Sequence, residues 1–311
     1  ISFEDLQKKN SDRYEYVFPY YDFSKNFSFD QLGTFELTSS GKNNLSNTNN
    51  LKTSIINDLN LRSNDKIFEK YGLKNNYNIF LKNLNTSGKN DPKYKESVQS
   101  QLMGMFEIQS SIPLNKMDSK YNYLFTPKVS LRMSPFNMKN YSDANREINT
   151  DNIFDNNRIG MNDSFEEGKS LTIGLNYKKE NFNNLDEFVE FDIATIYRDE
   201  VEDNLPTKGN LNKKSSNIFG SIKFNTLKHF KVDYDFALDN KFQNFEYNSI
   251  SANISVNNFV TSFDFIEENG TTGNTNILEN ITTYNINDNN FLSFKTRRNR
   301  KINLTEYYDL V

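Results

Sequence analysis

Clustered carboxylates are the first residues in this chain whose types and spacing could do chemistry. Asp199, Glu200, Glu202 and Asp203 lie close together in the sequence. Hard divalent cations take carboxylate oxygens as ligands, so this cluster could hold such an ion. A solvated acidic turn is the plainer interpretation, and the spacing alone leaves both open.

A second group of charges could pair with one another. Arg158 is followed within a few residues by Asp163, Glu166 and Glu167. These side chains could form a network inside the protein, where ion pairs are shielded from water. They could equally lie on a solvated loop, where each pair contributes only about 0–1 kcal/mol.

Other kinds of catalytic or binding chemistry find little support. The chain has no Cys and a single His, His229, which excludes a disulfide framework, a thiolate metal site and a cysteine nucleophile within it. We find no paired nucleophile and base, no phosphate-binding glycine loop and no metal-ligand spacing, and so predict no enzyme, cofactor or metal. Lys and Arg number 37 against 41 Asp and Glu, a net charge of −4 that predicts no nucleic-acid partner.

Two segments alternate clearly between apolar and polar residues, from Val189 to Tyr197 and from Phe230 to Leu238. Successive side chains of a strand point to opposite faces, so each segment would have one apolar and one polar face. The apolar faces carry Val189, Phe191, Ile193, Phe230, Val232, Tyr234 and Phe236. The polar faces carry Glu190, Asp192, Lys231, Asp233 and Asp235.

Weaker alternation predicts many more strands. The candidates are 14–24, 27–38, 51–62, 75–84, 97–112, 121–133, 168–179, 215–226, 245–257, 259–267, 275–287, 290–298 and 302–311. Many reach the roughly 9–11 residues that a tilted strand needs to cross a bilayer, whereas strands of other proteins are typically about 5–6 residues long. No stretch approaches the roughly 20 apolar residues of a membrane helix.

Length, connectors and composition together predict an all-β fold, an antiparallel up-and-down transmembrane β-barrel of a bacterial outer membrane. Short polar turns, Asn257-Asn258 and Asp288-Asn289, alternate with the long connectors 65–74, 87–95 and 139–157, as in outer-membrane barrels. An apolar content of only 35% fits strands with a single apolar face. That face would meet lipid, and the polar face would meet the lumen. Unpaired backbone groups are costly in lipid, so we expect strands outside this chain to close the barrel.

Three segments resemble the LptD family of lipopolysaccharide-assembly proteins, also called organic solvent tolerance proteins. They cover 124–136, 152–168 and 198–220. The motif positions are Pro127, Pro135, Arg158, Gly160, Asp163, Glu167, Gly168, Arg198, Asp199, Asn204, Leu205, Pro206, Ser215 and Gly220. The sequence departs from the family pattern at Gly160, which stands one residue earlier than in many relatives, and at Asn217, where an acidic residue is more usual.

The resemblance implies a barrel that inserts lipopolysaccharide into the outer leaflet of the cell outer membrane. It implies an LptE-like lipoprotein plug in the lumen, contact with outer-membrane lipids, and an N-terminal domain that meets the periplasmic lipopolysaccharide bridge proteins. We expect residues 1–311 to be an internal segment of one barrel domain, with that N-terminal domain and the final strands outside it. The resemblance also favours a structural network for Arg158, Asp163, Glu166 and Glu167, in a folded loop that enters the lumen.

Several alternatives stay open. Another outer-membrane barrel for solute passage, such as a porin or a plugged receptor, is the main rival, followed by a barrel enzyme and a secreted adhesive β-protein. Pro127 and Pro135 could mark strand ends and bulges or could weaken a wall that opens. The basic cluster Arg297, Arg298, Arg300 and Lys301 could contact lipid phosphates or lie on a solvated turn. Tyr284, Tyr307 and Tyr308 could belong to aromatic girdles at the bilayer interface.

Overall fold

The computed structural model describes residues 2–4, 14–46, 49–91, 94–227, 229–287 and 289–311. Within these ranges eighteen strands form one sheet, and the only helical segment is a 3-10 turn at Lys208–Asn210. The strands are Ser2–Glu4 (β1), Tyr14–Phe29 (β2), Gly33–Ser46 (β3), Asn50–Ser63 (β4), Lys66–Phe68 (β5), Leu73–Lys89 (β6), Gln99–Ser111 (β7), Leu114–Met117 (β8), Tyr121–Ser134 (β9), Gly168–Asn181 (β10), Asn184–Arg198 (β11), Ile218–Leu227 (β12), Phe230–Leu238 (β13), Phe245–Val256 (β14), Phe259–Glu268 (β15), Thr275–Asn287 (β16), Asn290–Asn299 (β17) and Leu304–Leu310 (β18). In the described part of the chain no helix has the length and apolar character to cross a membrane.

The sheet is an antiparallel meander. β4 and β5 lie end to end along β6, and β7 and β8 lie end to end along β9. Every other strand pairs with its neighbours in the chain, for example β10 with β9 and β11. At the two ends, β1 pairs with β2 and β18 pairs with β17, and no described ladder joins β1 to β18. The all-β, antiparallel and incomplete barrel predicted from the sequence is therefore confirmed.

Short turns and long loops alternate along the meander. Tight turns follow β10, β12 and β14, whereas loops 135–167 and 199–217 follow β9 and β11 at the opposite end of the sheet. Asn257, in the turn after β14, has a φ of 53°, which confirms the use of Asn in a tight turn. Asp288, in the other predicted turn, lies outside the described residues.

The polar stretch Asp65–Lys74 was wrongly expected to be a long loop. It contains β5, and Phe68 lies opposite Leu73 at the tip of a tight hairpin. The pairing with β6 continues through β5, because Ile67 and Phe68 extend the strand beyond the polar residues Asp65 and Lys66.

A predicted break near residues 25–26 was also wrong. β2 continues to Phe29, with Lys25 opposite Leu37 and Asn26 opposite Glu36 in the ladder. The turn comes instead at residues 30–32 and ends at Gly33, whose φ of 121° a residue with a side chain rarely adopts. Two consecutive polar residues do not interrupt a strand whose backbone remains paired.

Loops 135–167 and 199–217 pack against one face of the sheet, which we call the inner face. The apolar cluster between them contains Met138, Ile148, Ile153, Ile159, Met161, Ala194, Ile196, Leu205, Leu211, Phe219 and Ala237. Its strand members come from β11, β12 and β13, and its other members come from the two loops. Each large aliphatic side chain buried in this way contributes about 1.5–3 kcal/mol, so the loops are an integral part of the fold.

Candidate functional site: a loop anchored by buried ion pairs

Glu166, near the end of loop 135–167, lies at the centre of a buried ion-pair network. Arg158 Nε and Nη2 donate hydrogen bonds of 2.6 Å each to the two oxygens of Glu166. Arg198 Nη1 donates to Glu166 Oε2 at 3.0 Å. Arg132 Nη1 lies 3.9 Å from Glu166 Oε1. The two-pronged contact with Arg158 is the strongest geometry for such a pair.

A second carboxylate extends the network across the sheet. Glu107 of β7 accepts a 2.7 Å hydrogen bond from Arg132 Nε of β9. Ser130 Oγ donates to Glu107 Oε1 at 3.0 Å and Asn78 Nδ2 donates to Glu107 Oε2 at 3.0 Å. We call Glu107, Arg132, Arg158, Glu166 and Arg198 the ion network; all five are buried.

Further donors of the three arginines tie the loop to the strands. Arg158 Nη1 donates to Thr172 Oγ1 at 2.9 Å. Arg132 Nη2 donates to the Phe154 carbonyl at 2.8 Å. Arg198 Nη2 donates to the Glu167 carbonyl at 2.6 Å. The ion network thus joins β6, β7, β9, β10 and β11 to one loop.

The electrostatic environment keeps Glu166 ionised. Burial by itself would raise the pKa of its carboxyl group, but the guanidinium groups of Arg158, Arg198 and Arg132 outweigh that effect. The pKa of Glu166 is therefore held well below its usual range. Removing one partner from such a network would leave a buried charge uncompensated, which typically costs about 3–5 kcal/mol.

Asp163 anchors the same loop at a second point. It accepts a hydrogen bond of 3.2 Å from Lys139 Nζ and another from the Tyr141 hydroxyl. Burial and the Asp163 carboxylate together raise the pKa of Tyr141. Glu167 Oε2 accepts from the Met138 backbone N–H at 2.9 Å. The sequence placed Arg158, Asp163, Glu166 and Glu167 in a single group, whereas the structure separates the carboxylates of Asp163 and Glu167 from the ion network.

Loop 199–217 is held against loop 135–167. The Asn204 carbonyl accepts from the Tyr141 N–H at 2.8 Å. Leu205 and Pro206 are fully buried. Asn217, also fully buried, donates through Nδ2 to Glu246 Oε2 at 2.7 Å and accepts from Asn210 Nδ2 at 2.6 Å. A carboxylate at position 217 could not donate to Glu246 and would be repelled by its charge. The amide of Asn217 can donate, which explains why it is compatible with this site.

Three motif glycines occupy positions where a side chain would be strained by the backbone conformation or would collide with a neighbour. Gly160 and Gly168 have φ angles of 80° and 81°, a conformation that favours glycine. Gly168 begins β10, and a Cβ there would lie 3.6 Å from Asp199 Oδ1. Gly220 lies beneath the Phe236 ring, where a Cβ would collide with the ring.

The other motif residues lie at the margins of the network. Pro127 is opposite Leu175, at the point where the partner of β9 changes from β7 to β8. Pro135 directly follows β9. Ser215 forms an isolated bridge with Tyr197, and its carbonyl accepts from Asn240 Nδ2 at 3.0 Å.

The acidic cluster that follows β11 does not converge. Asp199 Oδ1 accepts from the Lys169 N–H at 3.3 Å, and Glu202 Oε1 accepts from the Asn204 N–H at 3.0 Å. Among the described residues no three His, Cys, Asp or Glu side chains are placed to hold a metal ion.

The two alternating segments lie in register in β11 and β13. The apolar residues of β11 and β13 lie on the same face of the sheet, in register across β12. The three rows are Val189, Phe224 and Val232; Phe191, Ile222 and Tyr234; and Ile193, Gly220 and Phe236. The polar residues of the two strands alternate with these apolar residues and therefore lie on the inner face. They share that face with Ala194 and Ala237, which pack against the loops; the polar residues are Glu190, Asp192, Lys231, Asp233 and Asp235. Asp192 Oδ1 accepts from Asn176 Nδ2 at 2.8 Å. The face opposite the loops is called the outer face below.

Glu107 and Arg132 are the members of the network that sequence reasoning missed. Each lies in a strand between apolar neighbours, Phe106 and Ile108 or Leu131 and Met133. Any strand with one face toward a water-filled lumen would show the same alternation of charged and apolar residues. The sequence therefore gave no indication that Glu107 and Arg132 pair with each other.

The network has the properties of a structural anchor. Its two carboxylates accept hydrogen bonds from arginine, hydroxyl and amide donors, and all five charged side chains are shielded from solvent. It can hold loop 135–167 across the inner face. Chemistry on a substrate would need an accessible group, which this arrangement does not offer.

Comparison with known proteins indicates the family to which the chain belongs. No curated protein matches the chain. A family model described as LptD, LPS transport system D, matches residues 14–290, which is most of the chain. The meander of long antiparallel strands agrees with that match. The chain belongs to the LptD family.

Proposed function

We propose that this chain forms part of the wall of an outer-membrane barrel that inserts lipopolysaccharide into the outer leaflet, without catalysing a reaction. Family membership supports transport of lipopolysaccharide. The observation that carries the proposal is the two-faced sheet, with apolar side chains in register on the outer face and ion pairs with a folded loop on the inner face. A wall of this kind separates lipid from a polar interior.

The outer face would meet the bilayer lipids. On this proposal Val189, Phe191, Ile193, Phe230, Val232, Tyr234 and Phe236 face lipid. The polar residues Glu190, Asp192, Lys231, Asp233 and Asp235 would line the lumen, where water and the sugar groups of lipopolysaccharide can hydrogen-bond to them. Lipid on one side and sugar on the other match the two halves of an amphipathic substrate.

Loop 135–167 would fill part of the lumen, held by the ion network. This arrangement favours assembly over free solute passage, because a loop fixed by several buried ion pairs narrows an open channel. An LptE-like lipoprotein would occupy further lumenal space. The barrel would close with strands outside residues 1–311, and an N-terminal domain would receive lipopolysaccharide from the periplasmic bridge proteins.

Depletion of the full-length protein tests the proposal. Newly made lipopolysaccharide should accumulate inside the cell, and the surface should become permeable to hydrophobic compounds. Unchanged surface lipopolysaccharide together with reduced uptake of a solute would instead identify a barrel for solute passage.

A further inference from the structure

An arginine ends a row of aliphatic and aromatic side chains on the outer face. Arg298 of β17 lies in register with Leu278 of β16, and Leu278 lies in register with Phe265 of β15. The row continues through Ile250 of β14 to Tyr234, which lies on the outer face of β13. Arg298 therefore points to the outer face, where it is exposed.

Arg300 brings a second guanidinium group to the same place from the turn between β17 and β18. Its guanidinium carbon is 5.6 Å from the centroid of the Phe265 ring, which is within the range of a cation–π contact. Its backbone N–H donates to the Asn276 carbonyl at 2.8 Å, which holds the turn against β16. We call Arg298 and Arg300 the arginine pair.

The positive charge of the arginine pair is not neutralised by an ion pair. Among the described residues no Asp or Glu lies within ion-pair distance of either guanidinium group. Arg298 donates through Nη2 to the uncharged side chain of Asn303. Arg297, the preceding residue, points to the inner face, where its Nε lies 2.9 Å from Glu306 Oε2. The basic cluster of the sequence is thus divided between the two faces, and its outer part lacks an acidic partner.

Glu267 is the carboxylate of the adjoining row on the outer face. It lies in register between Asn248 and Asn276. Its Oε1 accepts from Asn276 Nδ2 at 3.0 Å, and its Oε2 accepts from Asn248 Nδ2 at 3.4 Å. Two guanidinium groups and this one carboxylate leave a net positive charge at this end of the outer face.

The arginine pair lies at the end of the sheet that carries the long loops. Consecutive hairpins alternate between the two ends, so the turn after β17 is at the same end as loops 135–167 and 199–217. The longer loops of outer-membrane barrels face the cell exterior. On the proposed function, the arginine pair is therefore at the level of the lipid headgroups of the outer leaflet.

An apolar surface extends from the arginine pair toward the short turns. Phe294 lies on the same face of β17 as Arg298, farther from the turn. Its ring stacks on that of Tyr308 in β18, with the ring centroids 6.2 Å apart. Positive charge at the membrane surface and aromatic rings below it match the two ends of an anionic lipid.

We propose that the arginine pair binds the phosphate group of an outer-leaflet lipid, whose acyl chains lie along Phe265, Leu278 and Phe294. The inference rests on the proposed function, because it places this end of the outer face in the outer leaflet. Arginine has five N–H donors in a fork that matches phosphate oxygens in pairs. The described hydrogen bonds use one donor of the Arg298 side chain and none of the Arg300 side chain. Lipopolysaccharide is the phosphorylated lipid that the proposed function supplies.

Photo-crosslinking of the purified full-length protein in detergent tests the site. p-Benzoylphenylalanine replaces Phe294, because its benzophenone reacts with the C–H bonds of an acyl chain. The probes are diphosphorylated lipid A and the same lipid after removal of its phosphates. We expect at least about tenfold more adduct with the phosphorylated lipid. The matched control carries the same residue at Tyr234, which is distant from the arginine pair, and should give equal adducts with the two lipids.

Substitutions test whether the arginine pair is responsible. Arg298→Gln combined with Arg300→Gln should lower the adduct with phosphorylated lipid to the level of the dephosphorylated lipid. Arg298→Lys combined with Arg300→Lys should keep part of the adduct, because the charge remains although the fork is lost. Arg297→Gln is the matched control and should leave the adduct unchanged. An equal loss in Arg297→Gln would overturn the inference.

Inorganic phosphate distinguishes a lipid from a free anion. Added at the concentration of the lipid, it should leave the adduct unchanged, because it cannot use the apolar surface. Displacement of the lipid at that concentration would identify a site for free phosphate and overturn the assignment to a lipid.

The outcomes separate this inference from the proposed function. A protein that delivers lipopolysaccharide in cells, but gives equal adducts with the two lipids from position 294, overturns the inference alone. Unchanged surface lipopolysaccharide after depletion would overturn the proposed function, whereas dependence of the adduct on phosphate and on the arginine pair would still show the lipid site.

Discussion

Arg158 shows at the residue scale why loop 135–167 is a fixed part of the fold. Its guanidinium group satisfies both Glu166 oxygens, the Thr172 hydroxyl and the Ile153 carbonyl. The residue is almost completely shielded from solvent. If the Arg158 side chain were removed, these polar groups would lose a hydrogen-bond partner at a site shielded from water.

Replacement of Arg158 should therefore destabilise the barrel strongly. We expect Arg158→Met to lower the free energy of unfolding by about 3–5 kcal/mol, because Glu166 keeps its charge in a buried site with fewer partners. The measurement is denaturant unfolding of the full-length protein in detergent. Arg146→Met is the matched control: Arg146 forms an exposed pair with Asp155 at 3.9 Å, and its loss should cost about 0–1 kcal/mol. Equal effects of the two substitutions would contradict the buried network.

The depressed pKa of Glu166 predicts how stability changes with pH. A carboxyl group whose folded pKa lies below the ordinary value of 4.5 stabilises the fold fully above that pH, and the stabilisation is lost as the pH falls through the folded pKa. Unfolding measured from neutral to acidic pH should show wild-type stability falling below about pH 4.5. Glu166→Gln should be less stable at neutral pH and should depend less on pH in the acidic range. A wild type and variant with parallel pH profiles would contradict this role.

Asn217 offers a test of a single hydrogen bond. Asn217→Asp would place a carboxylate against Glu246 in a fully buried site and should lower the free energy of unfolding by about 1–3 kcal/mol at neutral pH. Adding Glu246→Gln should restore much of the loss, because the new amide can donate to the carboxylate. Thermal unfolding of the two variants provides the measurement, and a double variant less stable than Asn217→Asp would rule out this explanation.

The candidate site could be predicted from the sequence only where its partners are close along the chain. Arg158 and Glu166 are eight residues apart, and their pairing follows from local proximity. Glu107 and Arg132 are separated by 25 residues and are joined only by the register of β7 and β9. Asp163, close to both Arg158 and Glu166 in the sequence, binds Lys139 and Tyr141 instead, because the loop turns it away.

Alternation predicts the elements well because an antiparallel wall with two different faces imposes a period of two on every strand. β13 was found at its predicted bounds, whereas β11 contains its predicted segment but begins earlier, at Asn184. Errors arose where polarity was taken as a sign of a loop, as at 65–74. β12 begins at Ile218 and not at Ser215, because the polar groups of Ser216 and Asn217 are satisfied by buried side-chain contacts before the ladder starts.

A charge on the outer face tests which side of β11 meets lipid. Phe191→Arg should cost about 2–4 kcal/mol if this position lies near the middle of the bilayer. Asp233→Arg, on the inner face of β13, should cost little, because the added charge remains in contact with water. Urea unfolding of both variants in lipid vesicles provides the comparison. If the membrane-inserted protein keeps its stability after Phe191→Arg, the proposed faces are wrong.

Over the whole molecule, the open meander and the anchored loop describe a barrel wall that carries its own partial plug. No described ladder covers the outer edges of β1 and β18, and on the proposed function further strands would pair with them in lipid. Loop 135–167 joins five strands of the wall through its ion network and packs with loop 199–217. These features suit a barrel whose interior handles a large amphipathic lipid under steric control.

Re-expression of the full-length protein in depleted cells tests the central claim most directly. Newly made lipopolysaccharide is pulse-labelled, and its arrival at the cell surface is followed as the folded protein reappears in the outer membrane. We expect surface arrival to resume at a rate that rises with the amount of folded barrel. Arrival that stays unchanged while folded protein accumulates would contradict the assignment of this barrel to lipopolysaccharide insertion.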